Sequence, residues 1–260
     1  MPDGKAAAPP TNLLTVVRRD AALAGGHLFP TMDDTGKPVF DADERTIWSG
    51  SLRAYFLRQR ENGRPLVRVW ELPGPAEVWL TDRRLVFTCS KFTAGDWKKM
   101  AVAWISWDEF WNELITSTVK TIAAEKRRHG RIAVGQVRHE WPVDVLLTRQ
   151  KPRVGRQQTV LGLTCVDPWD DALVRLVLVD PSESVIAGLS RAVIQAIASH
   201  RLRESVPEEA AALLTQQEHN PVTTDGAHPL GSAPGGSEVF AGQPLKHAMT
   251  FSLPGATKIS

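Results

Sequence analysis

A short stretch near residue 80, Glu77-Val-Trp-Leu-Thr-Asp-Arg-Arg-Leu-Val-Phe-Thr88, places the strongest constraint on how this chain can fold. Apolar residues stand two positions apart on each side of its polar centre, at Val78, Leu80, Leu85 and Phe87. This spacing is typical of two short, half-buried strands. Thr81 and Asp82 suit the turn between them, because their short side chains can hydrogen-bond nearby backbone amides. The stretch therefore predicts a β-hairpin.

The hairpin resembles the central hairpin of GRAM and bacterial PH-like domains, in which a strand ending in Leu-Thr-(Asp/Asn)-Arg-Arg turns into a hydrophobic strand. Asp43-Glu44-Arg45-Thr46-Ile47-Trp48-Ser49-Gly50 resembles the opening strand of that family, and a long helix near residue 200 agrees with it. The resemblance spans roughly residues 39–203. It implies a PH-like barrel, with Arg83 and Arg84 as a structural corner, and the family's members mostly recruit lipids or proteins.

Apolar patterns along the rest of the chain predict a mainly β fold. Strands are expected over residues 45–57, 66–70, 131–141, 143–148, 159–166 and 172–179, and Pro73-Gly74-Pro75 is expected to end the second of them. A last helix over residues 182–203 has one apolar face, which Gly188 and Ala192 would allow to approach a sheet closely. We expect a PH-like barrel of two packed antiparallel sheets with this helix as its C-terminal cap. A helix-grip fold, a curved sheet wrapped around the same helix, is the alternative.

Residues 107–129 interrupt the strands with apolar residues three and four positions apart, which predicts an inserted amphipathic helix. Residues 1–37 are expected to be a flexible or partly helical arm, with a short helix over residues 11–24. Residues 38–204 would form the domain. Residues 205–260 are expected to be mostly disordered, because a segment rich in Gly, Pro, Ser and Thr buries too little apolar surface to offset its ordering entropy.

Composition excludes several classes of function. The 260 residues carry 31 Lys and Arg against 29 Asp and Glu, a balance that argues against a nucleic-acid binder. No apolar run reaches the roughly 18 residues that cross a bilayer, and the first residues lack the features of a secretory signal. We therefore expect a cytoplasmic protein, with peripheral membrane attachment as the alternative. Cys89 and Cys165 lie in apolar strand patterns, which predicts buried free thiols, and no motif indicates a metal or a cofactor.

The sequence gives no indication of catalysis. It contains no Gly-x-Ser-x-Gly elbow, no phosphate loop and no Gly-x-Gly-x-x-Gly motif. His139 and Glu140 are adjacent in a predicted strand, so their side chains should point to opposite faces and cannot form a catalytic pair. We assign no catalytic residue and expect no enzyme activity.

Basic loops and tryptophans are the candidate binding residues. PH-like barrels that bind phosphorylated lipid headgroups use Lys and Arg on loops at the open end of the barrel. The candidates for an anionic lipid or another anion are Lys98, Lys99, Lys151, Arg153 and Arg156. Ordinary solvated loop charge is the alternative interpretation. Trp107 and Trp111 are the candidates for partner binding, against the alternative that they pack in the core.

Three functions remain open from the sequence. The first is a non-catalytic adaptor that recruits a protein partner through a strand edge or through the groove beside the last helix. The second is a peripheral membrane module that binds anionic lipid through the basic loops. The third is a small-molecule carrier or enzyme with a cavity under the C-terminal helix.

Overall fold

A computed structural model of the chain describes residues 13–20, 22–58, 67–94, 130–150, 158–166, 173–204, 206–219 and 249–252. The strands are β1 Leu14–Arg18, β2 Thr31–Met32, β3 Pro38–Val39, β4 Thr46–Arg58, β5 Val67–Thr81, β6 Arg84–Cys89, β7 Thr93–Ala94, β8 Arg131–Arg138, β9 Pro142–Gln150, β10 Gln158–Val166, β11 Leu173–Asp180 and β12 Met249–Ser252. The helices are α1 Glu183–Leu202 and α2 Glu208–His219. The prediction of a mainly β fold is confirmed.

One antiparallel sheet of 10 strands dominates the fold, in the order β1-β8-β6-β5-β4-β11-β10-β9-β12, with β7 paired to β5. β2 and β3 form a separate two-stranded sheet. The large sheet is continuous because residues 54–58 of β4 pair with β11 on one side and with β5 on the other. The strands predicted for two packed sheets therefore belong to one sheet. Among the described residues, no pairing joins the edge strands β1 and β12.

The hairpin predicted around residue 80 is confirmed. Val78 pairs with Phe87 and Leu80 with Leu85, and all four side chains are buried. The Phe87 ring packs against Phe56 of β4, with ring centroids 5.4 Å apart. These residues belong to the main hydrophobic core, which lies between one face of the sheet and α1.

The predicted C-terminal helix is also confirmed. Ser182 is the N-cap residue of α1, and the apolar face of the helix is buried in the core through Ile186, Leu189, Val193, Ile194 and Ile197. The expectation for Gly188 is wrong. Gly188 is exposed, and a methyl group added there would meet nothing within 4 Å, because it lies on the side of α1 that faces away from the sheet.

The prediction that Pro73-Gly74-Pro75 ends a strand is wrong, since β5 runs through it. Leu72 pairs with Ala54 and Ala76 pairs with Leu52, so residues 73–75 stand opposite Arg53 alone. This is a bulge, where the missing N–H of proline costs no ladder hydrogen bond. Leu72 and Ala76 are buried on either side of the bulge and keep the two halves of β5 on the core.

The short helix predicted over residues 11–24 is wrong, because residues 14–18 form β1 and pair with β8. Thr15, Val16 and Val17 are a run of β-branched residues, which favours an extended chain. Leu13 and Leu14 are fully buried in the main core. Part of the expected arm is therefore a strand of the large sheet.

Two parts of the segment expected to be mostly disordered are ordered. α2 packs on α1, with Leu214 fully buried and the Ser199 hydroxyl donating a hydrogen bond to the Glu218 carboxylate at 2.6 Å. β12 pairs with β9 and forms one edge of the large sheet. The inserted helix predicted over residues 107–129 lies outside the described residues. Within them, no helix combines the length and the hydropathy that crossing a bilayer requires.

Candidate functional site: a groove beside the C-terminal helix

A groove with a volume of about 310 Å³ lies between α1, the start of β4 and the turn that joins β5 to β6. This is the groove beside the last helix that the sequence suggests as a partner site. Most of its α1 residues recur three or four positions apart and so form one stripe of the helix. Its lining consists of Ala192, Gln195, Ala196 and Ser199 from α1, Arg203 directly after α1, Arg45 directly before β4, Ile47 of β4 and Asp82 of the turn.

Ile47 gives the groove an exposed apolar wall. Its side chain is 44% exposed, and Val39 is the other large apolar residue exposed to this extent in the described part of the chain. Its neighbour Trp48 packs against the main core. Ile47 has no pairing partner in β5, because the register shifts between Thr46 and Trp48, so it stands at a bulge of β4 beside the groove. Ala192 and Ala196 leave room beside it, so a ligand in the groove could cover apolar surface.

The wall near Ile47 is held by the two motifs that carry the family resemblance. The Thr81 hydroxyl accepts hydrogen bonds from the backbone N–H groups of Arg83 and Arg84, at 3.2 and 3.0 Å, and closes the turn between β5 and β6. It lies 2.7 Å from the Glu44 carboxylate. Arg84 donates two hydrogen bonds to the same carboxylate, at 2.9 and 2.7 Å. The turn and the segment before β4 are thereby locked together.

The Glu44–Arg84 pair is buried, with 0% and 10% of the side chains exposed. Burial alone would raise the pKa of Glu44, but the hydrogen bonds from Arg84 and Thr81 outweigh it and hold this pKa below its usual range. Glu44 is therefore an anion in the folded protein. Arg84 also donates to the side-chain oxygen of Gln136 on β8 at 2.9 Å, which ties this pair to a third strand.

Asp82 connects the strand wall to α1. Its carboxylate accepts a hydrogen bond from the backbone N–H of Arg45 at 3.1 Å, and its own N–H donates to the Arg45 carbonyl at 3.0 Å. Its carbonyl accepts a hydrogen bond from the Arg203 guanidinium at 3.1 Å. The two arginines that line the groove are therefore held by the same residue at one end of it.

A second set of contacts fixes the C-terminal end of α1. The backbone N–H of His139 donates to the Arg83 carbonyl at 3.0 Å, and the His139 ring nitrogen Nε2 lies 2.9 Å from the Thr81 carbonyl. Arg201 donates to the carbonyls of His139 and Pro142 at 3.0 and 2.7 Å. These bonds hold the helix against the turn, so both walls of the groove are positioned before any ligand binds.

The electrostatics near this end favour neutral histidines. Burial lowers the pKa of His139 to about 3, and the positive charges of Arg201 and Arg203 act in the same direction. Burial also lowers the pKa of His200, whose ring centroid lies 5.7 Å from that of His139. The Thr81 carbonyl can only accept a hydrogen bond. The single N–H of the neutral His139 imidazole is therefore on Nε2, which donates to that carbonyl.

Other reactive side chains are buried rather than grouped at the groove. The Thr164 hydroxyl donates to the Asp144 carboxylate at 2.7 Å and accepts from Arg175 at 2.6 Å, and all three side chains are buried. Burial raises the pKa of Cys89 to about 11 and raises that of Cys165 as well. Both cysteines are free and buried, as predicted, and are thiols at neutral pH.

The structure does not describe the candidate binding residues that the sequence predicted. Lys98, Lys99, Lys151, Arg153, Arg156, Trp107 and Trp111 lie outside the described residues. The described residues contain no group of three or more His, Cys, Asp or Glu side chains that could hold a metal ion.

Sequence reasoning missed Ile47 and the two arginines that line the groove with it. The pair Ile47-Trp48 gives no signal for the site, because Ile47 stands at a register shift between Thr46 and Trp48 that the sequence does not show.

No protein-family model matches this chain, and no curated protein matches it significantly.

Proposed function

We propose that this chain is a non-catalytic PH-like binding module that recruits a protein partner through the groove beside α1. The architecture supports the PH-like assignment. Omitting the short β7, seven strands from β4 to β11 follow one another in the chain, and the first and last of them are neighbours in the sheet. The last leads directly into α1, which covers one face of the sheet.

The contacts between the two motifs support the same assignment. Arg84 of the Thr-Asp-Arg-Arg turn binds Glu44 of the opening-strand motif, and Arg83 binds Asp43 and Asp41 beside it. The residues that carry the sequence resemblance are therefore partners in space. This favours a shared fold over a chance likeness of two short motifs.

Ile47 is the observation that carries the proposed function. A large apolar side chain in a concave, pre-positioned groove gains free energy when a partner side chain covers it, by about 1.5–3 kcal/mol for full burial. A carrier with a cavity under the helix has less support. The side chains of Ile186, Leu189 and Ile197 fill the space beneath α1, and each is at most 1% exposed.

Selection from a displayed library of random short peptides, with the full chain as bait, tests the proposal. Ile47→Ser removes the apolar wall of the groove. We expect peptides selected on the parent chain to bind this variant roughly three- to tenfold more weakly in fluorescence anisotropy. Covering the exposed 44% of Ile47 is worth roughly 0.7–1.3 kcal/mol, and each 1.4 kcal/mol is about a factor of ten.

Val39→Ser is the matched control. Val39 lies in a strand and is 44% exposed, like Ile47, but does not line the groove. The selected peptides should bind this variant as they bind the parent. A selection that yields no peptide, or peptides whose affinity is unchanged by Ile47→Ser, would overturn the proposed function.

A further inference from the structure

The charges around the groove are not balanced. Arg45 and Arg203 line it and are exposed, and Asp82 is the acidic residue among the lining side chains. The Arg203 guanidinium uses one N–H for the Asp82 carbonyl, which carries no formal charge. The Asp82 carboxylate accepts a hydrogen bond from the backbone N–H of Arg45. This bond does not involve the Arg45 guanidinium, which therefore remains available to a ligand in the groove.

Three acidic residues beside the strand wall of the groove have cationic partners. Glu44 is paired with Arg84 at 2.7 Å. Asp41 and Asp43 are both paired with Arg83, the former at 3.0 Å. Within the described part of the chain, this leaves two arginines beside the groove and no acidic side chain within ion-pair distance of either.

We infer that the occupant of the groove is an acidic peptide segment, in which Asp or Glu residues lie next to an apolar side chain that covers Ile47. The inference rests on the proposed function and specifies its partner. Guanidinium groups bind carboxylates through paired N–H donors, which gives both affinity and orientation. The groove would thus bind an apolar side chain at Ile47 and the carboxylates next to it at Arg45 and Arg203.

The composition of selected peptides tests this inference. One library of random peptides is selected in parallel on the parent chain and on the double variant Arg45→Gln/Arg203→Gln. We expect peptides from the parent selection to be enriched in Asp and Glu next to an apolar residue, and this acidic enrichment to disappear with the double variant. The strongest binder should bind the double variant about tenfold more weakly, and its affinity for the parent should fall with salt.

Arg53→Gln/Arg191→Gln is the matched control. Arg53 lies in β4 and Arg191 in α1, so each shares an element or its flank with one groove arginine, and both are exposed outside the groove. This control removes the same net charge. It should leave the affinity of the selected peptides almost unchanged, and an equal loss with both double variants would overturn the inference in favour of a general charge effect.

Two further outcomes separate this inference from the proposed function. Peptides that depend on Ile47 but carry no acidic enrichment would overturn the inference and leave the proposed function standing. Cosedimentation with phosphatidylserine vesicles that depends on Arg45 and Arg203, without acidic enrichment among the peptides, would also overturn it and would assign the arginines to a membrane surface. Failure to select any peptide that depends on Ile47 would overturn both.

Discussion

His139 is a single residue that joins three parts of the chain. Its ring bonds the Thr81 carbonyl of the β5–β6 turn, its N–H bonds the Arg83 carbonyl, and its own carbonyl accepts a hydrogen bond from Arg201 of α1. The ring is buried, so protonation would place a positive charge in a site that solvent does not reach. That charge would also lie close to the positive charges of Arg201 and Arg203. The stability of this contact therefore depends on pH.

Lowering the pH should destabilise the fold through His139. The unfolded chain binds a proton at this residue below about pH 6.5, whereas the folded chain binds it only near pH 3. The free energy of unfolding should therefore fall between these values, by up to about 1.4 kcal/mol per pH unit from this group. The lowered pKa of His200 acts in the same direction. Urea titrations at several pH values would measure the slope.

His139→Gln should flatten this pH dependence, because an amide can donate to the Thr81 carbonyl but does not titrate. The variant should be less stable than the parent at neutral pH. His219→Gln is the control, since the His219 side chain is 74% exposed on α2 and its replacement should leave the slope unchanged. A parent and a His139→Gln variant with equal slopes between about pH 5 and pH 6.5 would contradict the prediction.

At the scale of single elements, two glycines should respond to the same substitution in opposite directions. Gly188→Ala in α1 should stabilise the fold by up to about 1 kcal/mol, because a methyl group there meets nothing and alanine favours a helix. Gly135→Ala in β8 should destabilise it by about 1–3 kcal/mol. A Cβ at Gly135 would lie 2.0 Å from the Leu13 carbonyl oxygen and 2.2 Å from the Phe87 ring.

Thermal or urea unfolding of the two variants would show in one experiment whether each substitution raises or lowers the free energy of unfolding. The pair is informative because the chemical change is identical and only the surroundings differ. Destabilisation by Gly188→Ala would mean that this side of α1 is covered. A neutral effect of Gly135→Ala would mean that β1 lies farther from β8 than the structure shows.

The elements that the sequence predicts well are those whose apolar pattern is local. The hairpin around Thr81 and the apolar face of α1 follow from spacings of two and of three or four residues, and both are confirmed. The continuation of β5 through Pro73 was missed, because it depends on a bulge opposite Arg53 of β4. Local rules read proline as a strand end and carry no information about the partner strand.

The candidate site could be predicted only in its location. A groove beside the last helix follows from capping a sheet with a helix, but its lining joins α1 to residues about 150 positions earlier in the chain. Ile47, Arg45 and Arg203 become neighbours only through the pairing of β4 with β5 and through Asp82. No spacing within the sequence predicts that these three residues become neighbours. The basic residues on loops were therefore the only signal from which candidate residues could be chosen.

At the scale of the whole molecule, the N-terminal segment is part of the packed fold. β1 extends the sheet beyond β8, and Leu13 and Leu14 are fully buried in the main core. Met32 and the half-buried Leu23 pack with residues of β8 in a smaller cluster. The sequence predicted that the domain begins at residue 38, because the glycines and prolines before it resemble a linker.

Limited proteolysis should therefore leave a core that begins at or before Leu13 and extends through α2, since cleavage requires locally unfolded chain. Mass spectrometry of the resistant fragments would locate both ends, whichever other sites are cut. A resistant core of residues 38–204, the extent predicted from the sequence, would contradict this result. It would mean that neither β1 nor α2 contributes to the stable fold.

Leu14→Asp provides the control for this measurement. An aspartate at this position would have to bury a carboxylate in the main core or detach β1 from β8, and detachment costs less than burying an unpaired charge. The resistant core of the variant should therefore begin further along the chain than that of the parent, while its end in α2 stays the same. If both proteins gave the same N-terminal end, the protection of residues 13–20 would not come from the pairing of β1 with β8.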